Sequence, residues 1–277
     1  MIHQSALIDF TKKKCEIVNT TTLLTIDAPN ERNVHDLRVN LRRFMSTIQF
    51  LKYSYEGNNK DFKGLNKQKK KLKHMFIQLN DLRDTQALIV YLNLTLQTST
   101  DFTSFISTLK KRELEILIEM PNKMAQWELI NIENNLLKVI NKQIFSPNEL
   151  ELKIHLYLRI LTENLHTRID ALSYGPEAFH KVRISLKKLR YFLELLEDGF
   201  QIKQPTLSLL KSWQDRLGHL QDLEVLLSIL EDDHFNQSKD SIILKTNIHN
   251  QISDLRNSLQ TDIYDLKSTT QKLLIKS

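Results

Sequence analysis

One eleven-residue pattern occurs twice in this chain of 277 residues and limits the folds that the chain can adopt. It spans residues 34–44 and returns at residues 179–189, an offset of 145 positions. Each copy reads apolar-His-x-apolar-Arg-apolar-x-Leu-basic-basic-apolar. In the first copy the apolar residues continue at steps of three and four through Ile48 and Leu51, which is the period of an amphipathic helix. The chain therefore has two related helices, each with a histidine and several cations.

The remaining sequence also predicts helices. Five glycines and five prolines are few for this length, so we expect long helices and few tight turns. Ser146 is a candidate N-cap for the helix that begins at Pro147, and Glu149 lies in the first turn of that helix. Gly199 and Gly218 are read as helix ends. The predicted helices cover about 3–24, 31–55, 64–80, 83–97, 102–119, 121–145, 147–173, the second motif helix up to 198, 205–217, 221–232 and 241–273, which makes the fold all-α.

A second block of similarity supports an internal duplication. Residues 73–88 align with residues 211–226 at an offset of 138, and the match includes Asp84 with Asp222. Each half then has a lead-in helix, a motif helix, a basic helix, a short helix and a long closing helix. We predict a single domain over 1–277 with repeat halves of about 1–145 and 146–277.

The cations of the second motif helix lie in a narrow band beside its apolar stripe. With His180 at zero and about 100° per residue, Arg183, Lys187 and Arg190 fall at about 300°, 340° and 280°. The apolar residues occupy about 160° to 260°. The first helix repeats this arrangement with His35, Arg38 and Arg42, whereas Arg43 and Lys188 turn away by about 100° from the cation before them and are secondary candidates.

Like charges one helical turn apart repel each other by a few tenths of a kcal/mol per pair, so this band needs a counter-charge. In the second copy Glu194 is placed to pair with Arg190, whereas the first copy has no local carboxylate. Asp84 and Asp222 are candidates from other helices, either as caps or as partners that orient an arginine. An external polyanion is the other candidate. Arginine suits phosphate because its planar fork donates two parallel hydrogen bonds.

Other chemistries fit the sequence poorly. Cys15 is the only cysteine, so neither an intrachain disulfide nor a cysteine zinc cage can form. Each motif helix has one histidine flanked by cations, which is unsuitable for a metal site. His155 and His166 are read as solvated. The sequence has no glycine-rich phosphate loop and no Ser/His/Asp spacing.

The net charge of +6 and the pI of about 9.2 favour an anionic partner. The sequence has no run of 18 apolar residues, and residues 1–27 lack the pattern of a secretory signal. We therefore expect a cytoplasmic protein.

These residues resemble the CHAD family, the conserved histidine α-helical domain. The segments that match, in the order of the family, are residues 35–43, 82–84, 180–191 and 217–222. The resemblance implies two pseudo-symmetric helical bundles around a basic central groove or pore. It also implies binding of inorganic polyphosphate and association with polyphosphate granules. The first copy departs from the pattern at Met45, where the second has Arg190, and at Asn80, where the second has Gly218, so the first half is expected to bind less strongly.

The combined prediction is non-catalytic binding of inorganic polyphosphate, with no cofactor and no metal. Two alternatives stay open, an enzyme that processes phosphate chains and a nucleic-acid-binding protein that uses the same basic surface; nucleic acid and membrane are not the expected partners. The two motif helices are expected to form one surface for the ligand. The predicted binding residues are His35, Arg38, Arg42, Arg43, Lys69, Lys70, Lys73, His180, Arg183, Lys187, Lys188, Arg190 and Lys211.

Overall fold

The fold is all-α, as predicted. The computed structural model describes residues 4–55, 59–95, 103–125, 127, 129–142, 144–172, 177–200, 205–231 and 239–275, and these contain ten α-helices and no β-strand. The helices are α1 Gln4–Asp27, α2 Glu31–Ser54, α3 Asn59–Gln78, α4 Asn80–Thr95, α5 Thr103–Ala125, α6 Leu129–Lys142, α7 Pro147–Asp170, α8 Glu177–Phe200, α9 Leu207–Leu230 and α10 Lys239–Ile275. In this part of the chain, no helix is both long and apolar enough to cross a membrane.

The helices belong to two compact units, which are described separately. The first unit contains residues 1–153 and 195–202. In it α1 packs against α2, α5 and α6, and α2 packs against α3 and α4. The second unit contains residues 154–194 and 203–277, and α9 packs against α10 within it. The single domain and its two repeat halves stay predictions.

The apolar stripes of both motif helices are buried, as the spacing predicted. In α2 the stripe residues are at most 1% exposed, and in α8 they are at most 6% exposed. Burying one such side chain contributes about 1.5–3 kcal/mol, so each stripe anchors its helix firmly. The buried residues are Val34, Leu37, Leu41, Phe44, Ile48 and Leu51 in α2, and Phe179, Val182, Leu186, Leu189, Leu193 and Leu196 in α8.

The predicted N-cap Ser146 is confirmed at the start of α7, and the structure adds that the cap is reciprocal. The backbone N–H of Ser146 donates to Oε2 of Glu149 at 2.7 Å, and the N–H of Glu149 donates to Oγ of Ser146 at 3.3 Å. The hydrogen bonds from the backbone and hydroxyl of Ser146 lower the pKa of Glu149. This arrangement satisfies N–H groups that the first helical turn leaves unpaired.

Three predicted helix ends are wrong. Gly218 lies inside the continuous helix α9, α8 continues through Gly199 to Phe200, and Pro121 lies inside α5, so α6 starts only at Leu129. A glycine in a helix costs about 1 kcal/mol relative to alanine. Burial of neighbouring apolar side chains outweighs that cost in α9. The sequence also predicts an N-cap at Asp101 and a break at Gly175 and Pro176, and these residues lie outside the described part of the chain.

Candidate functional site

Two arginines of α2 stack on one aromatic ring of α3. Cζ of Arg38 lies 4.5 Å from the ring centroid of Phe76, and Cζ of Arg42 lies 4.7 Å from the same centroid. Nη1 of Arg38 also donates a 2.5 Å hydrogen bond to Oδ1 of Asn80. Each cation–π contact is worth about 0.5–1 kcal/mol near a surface. The ring therefore helps to hold two like charges side by side.

The aspartate predicted for this arginine is not its partner. Asn80, and not Asp84, accepts the hydrogen bond from Nη1 of Arg38, and Asp84 is exposed on α4. Asn80 stands where the second half has Gly218. Asn80, which departs from the family pattern, therefore makes a structural contact with Arg38 in the first half.

A third arginine, Arg83, which was not among the predicted binding residues, acts electrostatically on His35. Nη1 of Arg83, on α4, is 2.9 Å from Oε1 of Glu31, the first residue of α2. Burial and then the charge of Arg83 lower the pKa of His35, and the two stacked arginines of α2 act in the same direction. Asp36 opposes them. We call His35, Arg38, Arg42 and Arg83 the first cluster.

Of the three predicted binding lysines of α3, one contacts α2 and two are exposed. Lys69 donates a hydrogen bond to Oε1 of Gln49 on α2, which fixes its ammonium group in the first unit. Lys70 and Lys73 are exposed. Arg43, on α2, is half-buried. Of the predicted lysines of α3, Lys70 and Lys73 are therefore the ones most open to an anion from solvent.

Helix α2 runs antiparallel to α3 and α4 where they are in contact. Arg38 meets Asn80 and Arg42 meets Phe76, so residue numbers rise along α2 while they fall along α3 and α4. The same direction places His35 near Arg83 and Gln49 near Lys69.

One contact in the second unit matches this register. Nδ1 of His180, on α8, lies 2.6 Å from Oε1 of Gln221 on α9. Gln221 aligns with Arg83 at the offset of 138, and His180 aligns with His35 at the offset of 145. In both units the motif histidine thus lies near the same repeat position. The residue at that position is arginine in the first half and glutamine in the second.

The other cations of the second half are positioned as follows. Arg183 and Lys187 are half-buried on α8. Lys188 and Lys211 are exposed. The name second cluster is used for the predicted residues of α8 and α9 other than Arg190, which are His180, Arg183, Lys187, Lys188 and Lys211.

Arg190 has a partner within its own helix. Its Nε lies 3.0 Å from Oε1 of Glu194, with side chains that are 10% and 17% exposed, which confirms the predicted ion pair. Its guanidinium also lies 5.1 Å from the ring centroid of Tyr191. Because its charge is paired with a carboxylate, this side chain is a poorer candidate for phosphate than the pattern indicated. Arg38 is as buried, at 7% exposure, but the hydrogen bond from its Nη1 goes to the neutral amide of Asn80.

Comparison with protein families shows which family this chain belongs to. A model of the CHAD domain matches residues 19–231. The chain belongs to the CHAD domain family. It is also similar to the crystal structure of the CHAD domain from the plant Ricinus communis, with a TM-score of 0.72 and 14% sequence identity over 98% of this chain and 92% of that chain. At this identity the match shows a shared fold. A search of curated proteins gave no match.

Two other histidine and tryptophan predictions for this CHAD chain can be assessed. His166 was read as solvated, and this is wrong, because it is 9% exposed and its Nε2 lies 2.8 Å from Oγ1 of Thr270. Burial and then Lys267 lower the pKa of His166. The sequence also predicts a core or groove-lining position for Trp213, which is buried at 3% exposure. The described residues contain no group of three or more His, Cys, Asp or Glu side chains that could hold a metal ion.

Proposed function

We propose that this CHAD chain binds inorganic polyphosphate without hydrolysing it. The observation that carries the proposal is the first cluster, in which Arg38 and Arg42 share the ring of Phe76 and the charges of these two arginines and of Arg83 act on His35. Two carboxylates, Asp36 and Glu31, act on residues of this cluster, which has three arginines. A linear anion with a charge on every phosphate matches such an arrangement, and the family resemblance points to the same ligand.

The chemistry of the arginines supports phosphate over a simple counter-ion. A guanidinium that rests on an aromatic ring by its face keeps its in-plane N–H groups for an acceptor. Those N–H groups match two oxygens of one phosphate, and hydrogen bonds between charged partners are about twice as strong as neutral ones. Phe76 therefore favours phosphate binding by limiting the orientations of Arg38 and Arg42 before the ligand arrives.

The second cluster adds a different kind of contact. Lys187, Lys188 and Lys211 each supply a compact ammonium charge, which attracts phosphate without fixing its orientation. His180 and Arg183 add directional donors. We infer that this cluster contributes mainly through charge, and its contribution will decrease as salt concentration rises.

A titration with polyphosphate of defined length at two salt concentrations tests the function. The double variant Arg42→Gln with Lys187→Gln removes one half-buried cation from each cluster. The matched control, Lys12→Gln with Lys13→Gln, removes two exposed cations of α1. We expect the cluster variant to lose about tenfold in affinity for each lost contact and the control to bind nearly as wild type. Equal affinity of both variants would refute the proposed sites.

Two further measurements separate the alternatives. Competition with duplex DNA and with RNA shows whether the basic surface prefers polyphosphate; displacement of polyphosphate by equimolar nucleic acid would favour the nucleic-acid reading. Release of free phosphate during incubation with polyphosphate and Mg²⁺ would favour an enzyme. Association with polyphosphate granules in the cytoplasm is expected if the binding function holds, and loss of granule localisation in the Arg42/Lys187 variant tests it.

A further inference from the structure

The two halves differ at one repeat position that the antiparallel register of the helices places beside the motif histidine. In the first half Arg83 occupies it, and in the second half Gln221 occupies it. Oε1 of Gln221 lies 2.6 Å from the ring of His180, so that glutamine is engaged inside its own unit. Arg83 instead forms an ion pair with Glu31. The side chain of Arg83 is 30% exposed and that of Glu31 is 51% exposed. The first half thus has an additional cation that solvent can reach.

We propose that Arg83 is a polyphosphate-binding residue of the first cluster and that Glu31 occupies its guanidinium until a phosphate displaces the carboxylate. This inference rests on the proposed function and adds to it a named residue and a competing internal anion. Carboxylate and phosphate oxygens accept the same paired hydrogen bonds from arginine, so one can replace the other. An exposed ion pair of this kind is weak, so competition from Glu31 lowers the affinity for polyphosphate by only about two- to fivefold. A multiply charged ligand overcomes this loss.

The position of Arg83 relative to its neighbours supports a role in binding. Its charge reaches the ring of His35 and contributes more to lowering the pKa of that histidine than Arg42 or Arg38 does. One turn before it on α4, Asn80 accepts the hydrogen bond from Arg38. An anion that approaches His35 therefore meets Arg83 on α4 and the two stacked arginines on α2.

With Arg83 as a binding residue, the first half is expected to bind polyphosphate more strongly than the second. The sequence pattern favoured the second half because Arg190 extends it, but Arg190 is buried against Glu194. In the first half the position facing the histidine has a cation that the second half lacks. We therefore expect the first cluster to supply the larger share of affinity.

Four single variants in the full chain test the proposal, with polyphosphate of defined length as the probe. Arg83→Gln installs the side chain that the second half has at this position. Its control is Arg159→Gln, which removes the same charge from the exposed Arg159–Glu163 pair of α7, whose Nε and Oε1 atoms are 2.7 Å apart. Glu31→Gln removes the competing carboxylate, and Glu163→Gln is its control. Thermal unfolding identifies any variant that has lost its fold, and Arg83→Lys then serves as a second test that keeps the charge.

The expected result has three parts. Arg83→Gln weakens binding about tenfold and lowers the slope of log affinity against log salt by about 0.7, while Arg159→Gln does neither. Glu31→Gln strengthens binding about two- to fivefold, and Glu163→Gln does not. Combining Glu31→Gln with Arg83→Gln abolishes the gain.

The outcomes separate this inference from the proposed function. If the wild-type chain does not bind polyphosphate, the proposed function fails. If the wild type binds and Arg83→Gln behaves like Arg159→Gln, the function stands and the role of Arg83 is refuted. If Glu31→Gln strengthens binding equally with and without Arg83, Glu31 does not compete for that guanidinium, and the second part of the proposal is wrong.

Discussion

The backbone of Gly199 approaches the ring of Phe10 so closely that a Cβ atom at this position would lie 2.9 Å from Cδ2 and 3.0 Å from Cγ. Phe10 is a buried side chain of α1, with 5% exposure. The ring cannot move away without disturbing its neighbours, because protein interiors are closely packed. Glycine at 199 therefore allows α8 to pass close to α1, which explains its presence inside a helix.

Replacing this glycine should destabilise the protein. In Gly199→Ala the new methyl group overlaps with the ring of Phe10, and forcing an extra carbon into a packed site costs about 1–3 kcal/mol. The better helix propensity of alanine recovers at most about 1 kcal/mol of that. Thermal and urea unfolding measure the difference. Restoration of stability by a smaller residue, in Gly199→Ala with Phe10→Leu, would identify the overlap as the cause, whereas an unchanged midpoint in Gly199→Ala would contradict it.

The glycine of α9 should respond in the opposite direction. In the described part of the chain, no atom beyond the neighbouring residues and backbone of α9 itself lies within 4 Å of the place where a Cβ of Gly218 would stand, and α9 is helical on both sides of it. Gly218→Ala should therefore raise the free energy of unfolding by about 0.5–1 kcal/mol, because alanine loses less backbone entropy in a helix. A lower unfolding midpoint would show that this position needs glycine for its own conformation. The pair of variants compares two helical glycines that the sequence alone treats alike.

The sequence predicted periodic features well and tertiary pairings poorly. Both buried stripes and the Arg190–Glu194 pair follow from spacing on one helix, which a single chain segment determines. Arg83 and Phe76 depend on which residues face each other across two antiparallel helices, and no local pattern encodes that register. Glycine was misread for a related reason, since its effect depends on what packs around it. The signal in the sequence was the segment 82–84, which contains Arg83 and resembles the family pattern but did not by itself point to a binding role.

The ring of Phe76 should matter for both arginines that stack on it. Phe76→Leu keeps an apolar side chain but removes two cation–π contacts, each worth about 0.5–1 kcal/mol. We expect a modest loss of stability and a severalfold loss of polyphosphate affinity, because Arg38 and Arg42 become less restricted before binding. Unfolding midpoints and the binding titration measure the two effects. Wild-type affinity in this variant would mean that the ring does not orient the arginines for the ligand.

Cys15 should be unreactive in the folded chain. It is 6% exposed, and burial, followed by the charge of Glu133, raises its pKa from 9.0 to about 12. The reactive thiolate is therefore scarce at neutral pH. Labelling with a thiol reagent should be slow for native protein and fast in denaturant. Because the folded state keeps the thiol protonated, its contribution to stability is present below pH 9.0 and is lost as the pH rises toward about 12. Fast labelling of native protein would contradict this burial.

The pKa of His35 should report on both its neighbours and the ligand. Burial and the arginines, with Arg83 first among them, lower this pKa below its ordinary value of 6.5. The unfolded chain then binds the proton more readily, so the contribution of His35 to stability is present above pH 6.5 and decreases as the pH falls below it. An NMR titration of the histidine ring protons gives the pKa directly. Arg83→Gln should raise the pKa of His35, whereas Arg159→Gln should leave it unchanged, because Arg159 pairs with Glu163 on α7.

Bound polyphosphate should raise the pKa of His35 further by stabilising the imidazolium. Binding should then take up a proton and strengthen as the pH falls from about 8 to 6. A pKa of His35 that is insensitive to both Arg83→Gln and polyphosphate would place neither the guanidinium nor the ligand near this ring.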